Sequence, residues 1–256
     1  MIDITNTKIF GYEAAIRGMR NPMNSWDKSD SGCGCSHEYE IFGNCDLCDK
    51  YIGKQDYNLM LKLSKAGTDH AKFMRYINVT LDINAPLYWW KEFDTYKVGT
   101  VANSCSTMHK IHEKEFDRGD FSYEHIPLGS DAYSDTWDFK TSDMFFCINK
   151  EEGYYFSSED VLDFTIQALN HYRNKYLETK VKPMKEESKR AELMKKYWWQ
   201  MIQLLPSSYN QKRTIQLNYQ VLKNIYHARK NHKLDEWVEF CHWIESLPYS
   251  KLITEV

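Results

Sequence analysis

The chain has 256 residues, 42% of them hydrophobic and 15% aromatic, which supports a sizeable core and excludes a disordered protein. The formal charge of −3 excludes a protein that grips nucleic acid through a global positive field. No run of about 18 apolar residues is present to span a membrane. The N-terminal MIDITNTKIF lacks the basic-then-apolar pattern of a secretory signal, and 7 Cys, an odd number, fit a reducing compartment. The expectation is a cytoplasmic protein.

In chain order, residues 21–37 form a polar, Gly- and Ser-rich stretch that predicts a loop. The spacing Cys33-x-Cys35-x9-Cys45-x2-Cys48 falls within and just beyond it. Four thiolates so close in sequence could close a tetrahedral zinc site, structural because no position stays open; the alternative is a loop of free thiols. Gln55–Ala66 then carries apolar residues at helical spacing and stops at Gly67. Tyr76–Ile83 alternates Ile77, Val79, Leu81 and Ile83 with polar residues, the pattern of a half-buried strand. Asn84 and Pro86 predict the start of a helix running to Tyr96.

The segment Gly99–His109 reads as a polar loop, and Glu113–Asp143 as irregular. Ser157 or Ser158 is placed to cap a long amphipathic helix, and Pro183 separates it from a second one. Segments 145–149 and 207–218 are candidate strands. Helices with a few strands and no βαβ regularity predict an α+β fold. The expected organisation is a single domain over 1–256, with a Cys-rich insert at 31–50 and a small, mostly antiparallel sheet packed with long helices.

The stretch Leu204–Trp237 holds the strongest functional signal. Leu222, Ile225 and Tyr226 share a helical face with Arg229, while Gln220, Asn224, His227 and Asn231 form a polar stripe. A guanidinium on an apolar face needs a partner such as an anion or a planar hydrogen-bonding ligand, unless it snorkels to water. Elsewhere, Cys147, Cys241, His242 and Trp243 read as packing residues, and Trp89-Trp90 as core or as a stacking surface.

Two stretches, residues 70–110 and 204–237, resemble the flavin-dependent thymidylate synthase family. In the second, a Leu-Pro precedes Asn218, Asn224 and Arg229, followed by Asp-Glu-Trp. In the first, His70 precedes the Ala-Pro at 85–86, and a helix then leads to the position of the family's Arg-His-Arg triplet. That triplet is Thr95-Tyr96-Lys97 here, so only the last cation is kept in kind. The family's loop Ser falls on Cys105 or Ser106, and its following Arg on Thr107 or Met108. Glu92 stands where the family has Gln, Gln220 where it has Arg, and Ile202 also replaces an Arg.

The resemblance implies the fold of the thymidylate synthase complementing protein and a homotetramer with sites built between subunits. It implies reductive methylation of dUMP, or a related pyrimidine deoxynucleotide, with FAD, NADPH and methylenetetrahydrofolate. His70, Thr95, Tyr96, Lys97, Asn218, Gln220 and Asn224 would then bind cofactor. Glu92, Ser104, Ser106 and Arg229 would bind substrate, with Arg229, Ser106 and Cys105 at the reaction centre. Loss of the first two triplet cations removes up to two phosphate contacts of roughly 1.5–3 kcal/mol each. That loss keeps open a second function, a nucleotide-binding protein on the same fold without catalysis. A third, an unrelated zinc-loop interaction module, leaves the order of the matches unexplained.

Overall fold

The computed structural model describes residues 2–33, 50–127, 145–148 and 153–255. The first half of the chain runs β1 (Asp3–Phe10), α1 (Tyr12–Arg20), β2 (Gly32–Cys33), β3 (Lys50–Tyr51), α2 (Lys54–Lys65), β4 (Asn78–Pro86), α3 (Leu87–Phe93), β5 (Val101–Ser104) and α4 (Thr107–Lys110). The second runs β6 (Phe145–Ile148), β7 (Gly153–Phe156), α5 (Ser158–Val181), α6 (Glu187–Leu204), β8 (Asn210–Asn218), α7 (Tyr219–Arg229), α8 (Asp235–Ser246) and α9 (Lys251–Thr254). This is the expected α+β fold. Its main sheet has four strands in the order β1-β4-β8-β5, with β1/β4 and β5/β8 antiparallel.

The residues fall into two compact units whose segments interleave along the chain: 2–84, 89–104 and 212–256 in one, 85–88 and 105–211 in the other. In the first, the predicted alternation of β4 holds, with Ile77, Val79, Leu81 and Ile83 all buried. An aromatic core forms around Trp89, whose ring lies 4.8 Å from Trp237 and 5.1 Å from Phe93, with Phe240 against both. Trp89 and Trp90 are therefore core residues. On the sheet's polar face, Asp82 accepts from Asn6 Nδ2 at 2.9 Å and from Thr214 Oγ1 at 2.6 Å, linking β1, β4 and β8. Asn6 itself has φ 55, a left-handed conformation Asn tolerates, where the β1 register slips.

The other unit is organised by the α5–α6 hairpin. Ser157, one of the two serines the sequence offered as the cap, starts α5 through a capping box with Asp160. Leu162, Leu169 and Met201 pack with Ile111, Phe116 and Phe121. Asn170 fastens the irregular segment to α5, donating to Phe116 O at 2.8 Å and accepting from Phe116 N at 2.9 Å.

Three expectations change. The strand β4 continues to Pro86, so Asn84 is a strand residue rather than a helix cap, and α3 ends at Phe93 in hydrogen-bonded turns through Tyr96. The segment read as a polar loop at 99–109 contains β5, an edge strand whose side chains are all exposed. Helix α2 is capped from far away in sequence: Asp30 accepts from Gln55 N at 2.8 Å and Asp56 N at 3.0 Å, which lowers its pKa. A Cβ on Gly53 would stand 2.2 Å from that carboxyl carbon, so glycine is required there. Of the cysteine cluster, Cys33 pairs with Lys50 across β2/β3, while Cys35, Cys45 and Cys48 lie outside the described residues.

A buried ion pair fixes the 25–31 turn region against α2. Asp56, fully buried, accepts from Arg20 Nε at 2.6 Å and from the hydroxyls of Ser29 and Ser31, also at 2.6 Å. Arg20 completes its donors on the carbonyls of Ser25 and Lys28. Asp56→Asn leaves a buried guanidinium without its counter-charge and should cost about 3 kcal/mol. Urea unfolding measures it; a loss below about 1 kcal/mol would contradict the burial of this pair.

Candidate functional site

Helix α7 follows β8 without a linker because Asn218, the last strand residue, is also its N-cap. The Asn218 Oδ1 accepts from Val221 N at 3.1 Å. Gly99, with φ +80, lets the preceding loop close on this helix start: a Cβ there would stand 3.1 Å from Asn218 Nδ2 and from Val221. The helix then divides by face. Val221, Leu222, Ile225 and Tyr226 are buried, whereas Gln220, Asn224 and His227 line a cavity of about 480 Å³. Its other walls are Ser64 and Lys65 at the end of α2, Gly67, Thr68 and Ala71 after it, and Lys223 and Ala228.

The cavity's electrostatics are muted. Lys223 Nζ is held by Ser64 O at 2.8 Å and Glu255 O at 3.4 Å; burial, then the nearby Lys65 charge, lowers its pKa. Lys65 is paired with Glu255 at 3.0 Å. The pKa of His227 is also lowered, chiefly by burial, and its Nε2 lies 3.0 Å from Ile253 O. Gln220 is 9% exposed; its Nε2 donates to Asn224 Oδ1 at 3.1 Å, but its buried Oε1 accepts nothing. A buried acceptor without a donor costs about 1–3 kcal/mol.

The C-terminal end of α7 carries a second centre. Arg229 Nη1 donates to Glu92 Oε2 at 2.6 Å and its Nε to Tyr96 Oη at 2.9 Å. Trp237 Nε1 donates to the same Glu92 oxygen at 3.0 Å. The guanidinium lies 4.8 Å from the Trp237 ring and 5.7 Å from the Tyr96 ring. His232 completes the surround, its Nε2 2.9 Å from Arg229 Nη1. Arg229 therefore neither snorkels to water nor waits for an anion: its counter-charge is internal. Among the described residues, Arg229 Nη2 and Glu92 Oε1 keep no partner, so the ion pair retains donor and acceptor capacity.

No family model matches the sequence, and no curated protein matches it either. Solved structures do match in fold. A flavin-dependent thymidylate synthase from Helicobacter pylori, complexed with FAD and dUMP, aligns over 98% of this chain and 97% of its own, at 16% identity and TM-score 0.57. A second structure of the Helicobacter pylori enzyme with FAD and dUMP aligns over 99% and 97%, at 15% identity and TM-score 0.57. The chain has the fold of the flavin-dependent thymidylate synthases.

On this thymidylate synthase fold, the sequence-predicted residues separate into groups. Glu92, Tyr96 and Arg229 come together in the caged pair. Gln220 and Asn224 share the cavity, which the turn around His70 also walls; His70 itself is exposed. Thr95 closes the end of α3 by donating to Glu92 O at 2.7 Å, and Lys97 is exposed. Ser104 is exposed in β5, opposite Arg213. Cys105 and Ser106 belong to the other compact unit, where Ser106 caps α4 by accepting from His109 N at 3.0 Å and exposed Cys105 accepts at its carbonyl from Gln211. Cys241 is buried and its thiol pushed up to about 11, so it is a packing residue; His242 is exposed.

The sequence did not single out Trp237, His232 or the Ser64–Ala71 wall as site residues. Trp237 had a signal in the Asp-Glu-Trp after α7, but its indole contact with Glu92 spans 145 positions. A larger cavity of about 660 Å³, lined by Tyr12, Tyr51 and Tyr249 among others, holds none of the predicted residues. Among the described residues no cluster of His, Cys, Asp or Glu is placed to hold a metal ion, and no helix is long and apolar enough to cross a membrane.

The lowered pKa of His227 gives a pH dependence. The unfolded chain takes its proton near the ordinary value of 6.5, while the folded chain resists it, so folding stability falls as pH drops through about 6.5. His112, lowered mainly by burial, contributes in the same window. Thermal unfolding between pH 7.5 and 5.5 should show a falling midpoint, less steep in His227→Gln. An identical slope in that variant would contradict a neutral His227 in the fold.

Proposed function

We propose that the chain binds a pyrimidine deoxynucleotide of the dUMP type and a flavin nucleotide, and methylates the pyrimidine reductively. The observation that carries this is the free edge of the caged pair. Arg229 Nη2 and Glu92 Oε1 are the donor and acceptor of this ion pair left without protein partners, and together they would complement a pyrimidine N3–H and its adjacent carbonyl. The internal counter-charge favours this neutral edge over a phosphate, which Glu92 would repel. The fold likeness to enzymes complexed with FAD and dUMP supports the same assignment.

In this reading, Glu92 and Arg229 orient the base, and Trp237 and Tyr96 hold the guanidinium in place. When the ring is attacked, charge accumulates on N3 and its neighbouring oxygen. A preorganised guanidinium stabilises that charge without moving. We assign the flavin nucleotide to the cavity at Gln220 and Asn224, on its ligand-pocket size and its buried acceptor without a donor. When bound, the flavin supplies hydride, with NADPH as its reductant and methylenetetrahydrofolate as the one-carbon donor. Asn218 retains its Nδ2 for that ligand, since its Oδ1 serves the helix. Ser106 and Cys105 remain candidates for the reaction centre, and Lys97 for phosphate.

A second reading, nucleotide binding without turnover, draws on one observation: Glu92 neutralises Arg229 where a catalytic guanidinium is most effective with its charge unspent. Rapid reduction of bound flavin by NADPH separates the two, since a binding protein has no use for it.

We also propose a homotetramer. Val181, Trp199 and Leu204 leave large apolar surfaces exposed on the α5–α6 hairpin, suited to subunit contacts. Light scattering at low micromolar concentration should give about four times the 30.5 kDa chain mass; a monomer would contradict it.

Calorimetric titration with dUMP tests the nucleotide assignment. Arg229→Lys keeps the charge but loses the planar fork, so affinity should fall on the order of 10–100-fold, equivalent to about 1.5–3 kcal/mol. Unchanged affinity would return Arg229 to a purely structural role.

A further inference from the structure

The cavity of about 660 Å³ lies within one compact unit, between the start of α1 and the Pro248–Tyr249 turn after α8. None of the residues assigned above to nucleotide or flavin lines it. Phe10, Tyr12, Tyr51 and Tyr249 give it aromatic walls. Glu13 and Arg17 add one anion and one cation, so the wall carries no net charge. Two of its phenols have fixed hydrogen-bonding roles. Tyr219 Oη lies 2.6 Å from the Pro248 carbonyl, which can only accept, so Tyr219 spends its proton there. The 2.9 Å contact between the Tyr12 and Tyr219 hydroxyls is then donated by Tyr12, whose own oxygen is left to accept. Tyr249 is the reverse: its Oη accepts from Ile52 N at 3.3 Å, and its proton has no acceptor among the described residues. The Tyr249 ring stands 5.5 Å from that of Tyr12 and 5.3 Å from that of Tyr57. Its backbone φ is 55, a value bulky residues rarely adopt, so the fold holds a ring where glycine would be unstrained.

We propose that this cavity is a second ligand site, separate from those on α7, for an uncharged planar ring bearing a group that both accepts and donates, as an aromatic amide does. The tyrosine rings pack against the ligand's ring, Tyr249 donates to its acceptor and Tyr12 accepts from its donor. An ionised ligand would lose hydration that a wall of cancelling charges does not replace. The cavity has the size of a small-molecule pocket, about 300–1,000 Å³. The inference stands whether or not α7 binds nucleotide and flavin, because it shares no residue with that reading.

The test uses the full chain and three probes on one ring: benzamide, benzoate and toluene, which carry a neutral polar group, a charge and neither. Binding is followed by saturation-transfer NMR and titration. Benzamide should bind, and benzoate and toluene should each bind about five-fold more weakly or less. Tyr249→Phe keeps the ring and removes the donor, and Tyr12→Phe removes the acceptor; each should weaken benzamide about five-fold. A cooperative thermal melt in each variant shows that the fold is intact, and if Tyr12→Phe does not fold, Tyr249→Phe alone decides. No binding of benzamide to the unaltered chain, equal binding of toluene, or tighter binding of benzoate overturns the inference. So does unchanged benzamide affinity in the folded variants. Displacement of benzamide by FAD or dUMP would place it in the α7 sites, which overturns the inference and leaves the flavin and nucleotide reading standing.

Discussion

One oxygen atom, Oε2 of Glu92, registers three helices. It accepts from Arg229 at the end of α7 and from Trp237 in α8, while Glu92 itself belongs to α3. The guanidinium it fixes also leans on the faces of Trp237 and Tyr96, rings that continue into the aromatic core through Phe93. Core packing and site geometry are therefore the same contacts seen from two sides. Displacing Glu92 would release the arginine and leave the indole N–H without its acceptor.

The consequence for recognition is a matter of charge. A lone arginine on a ligand-facing helix end attracts phosphates, because its fork matches their oxygens. Paired with Glu92, the same arginine presents no net charge and recognises pattern instead. Phosphate contacts, if the chain makes them, must come from other residues, of which exposed Lys97 in the loop over the helix start is one.

Much of this was legible in the sequence because it is local. The alternation of Ile77, Val79, Leu81 and Ile83 gives a strand from its period alone, and the serine pair 157–158 ahead of an amphipathic run marks a helix start. The polar and apolar stripes of α7 follow from helical spacing, and the polar one does form a cavity wall. What escaped is non-local. The cap of α2 is Asp30, separated from it by the Cys-rich insert, and no pattern within α2 announces it. Arg229 was expected to seek a ligand or water because its partner lies 137 positions away. Glu92 was visible only as a departure from a resembling family's Gln, and the pairing explains it: a carboxylate there serves a buried-edge guanidinium that an amide would leave uncompensated.

The central claim is that α7 builds a flavin site and a nucleotide site together on this fold. The measurement that tests it most directly is fluorescence of FAD titrated with the purified chain, repeated at saturating dUMP. The account predicts saturable quenching at one FAD per chain and a changed quench or affinity when dUMP is present, because both ligands contact groups held by one helix. FAD fluorescence that stays unquenched by the folded chain, with and without dUMP, would contradict it.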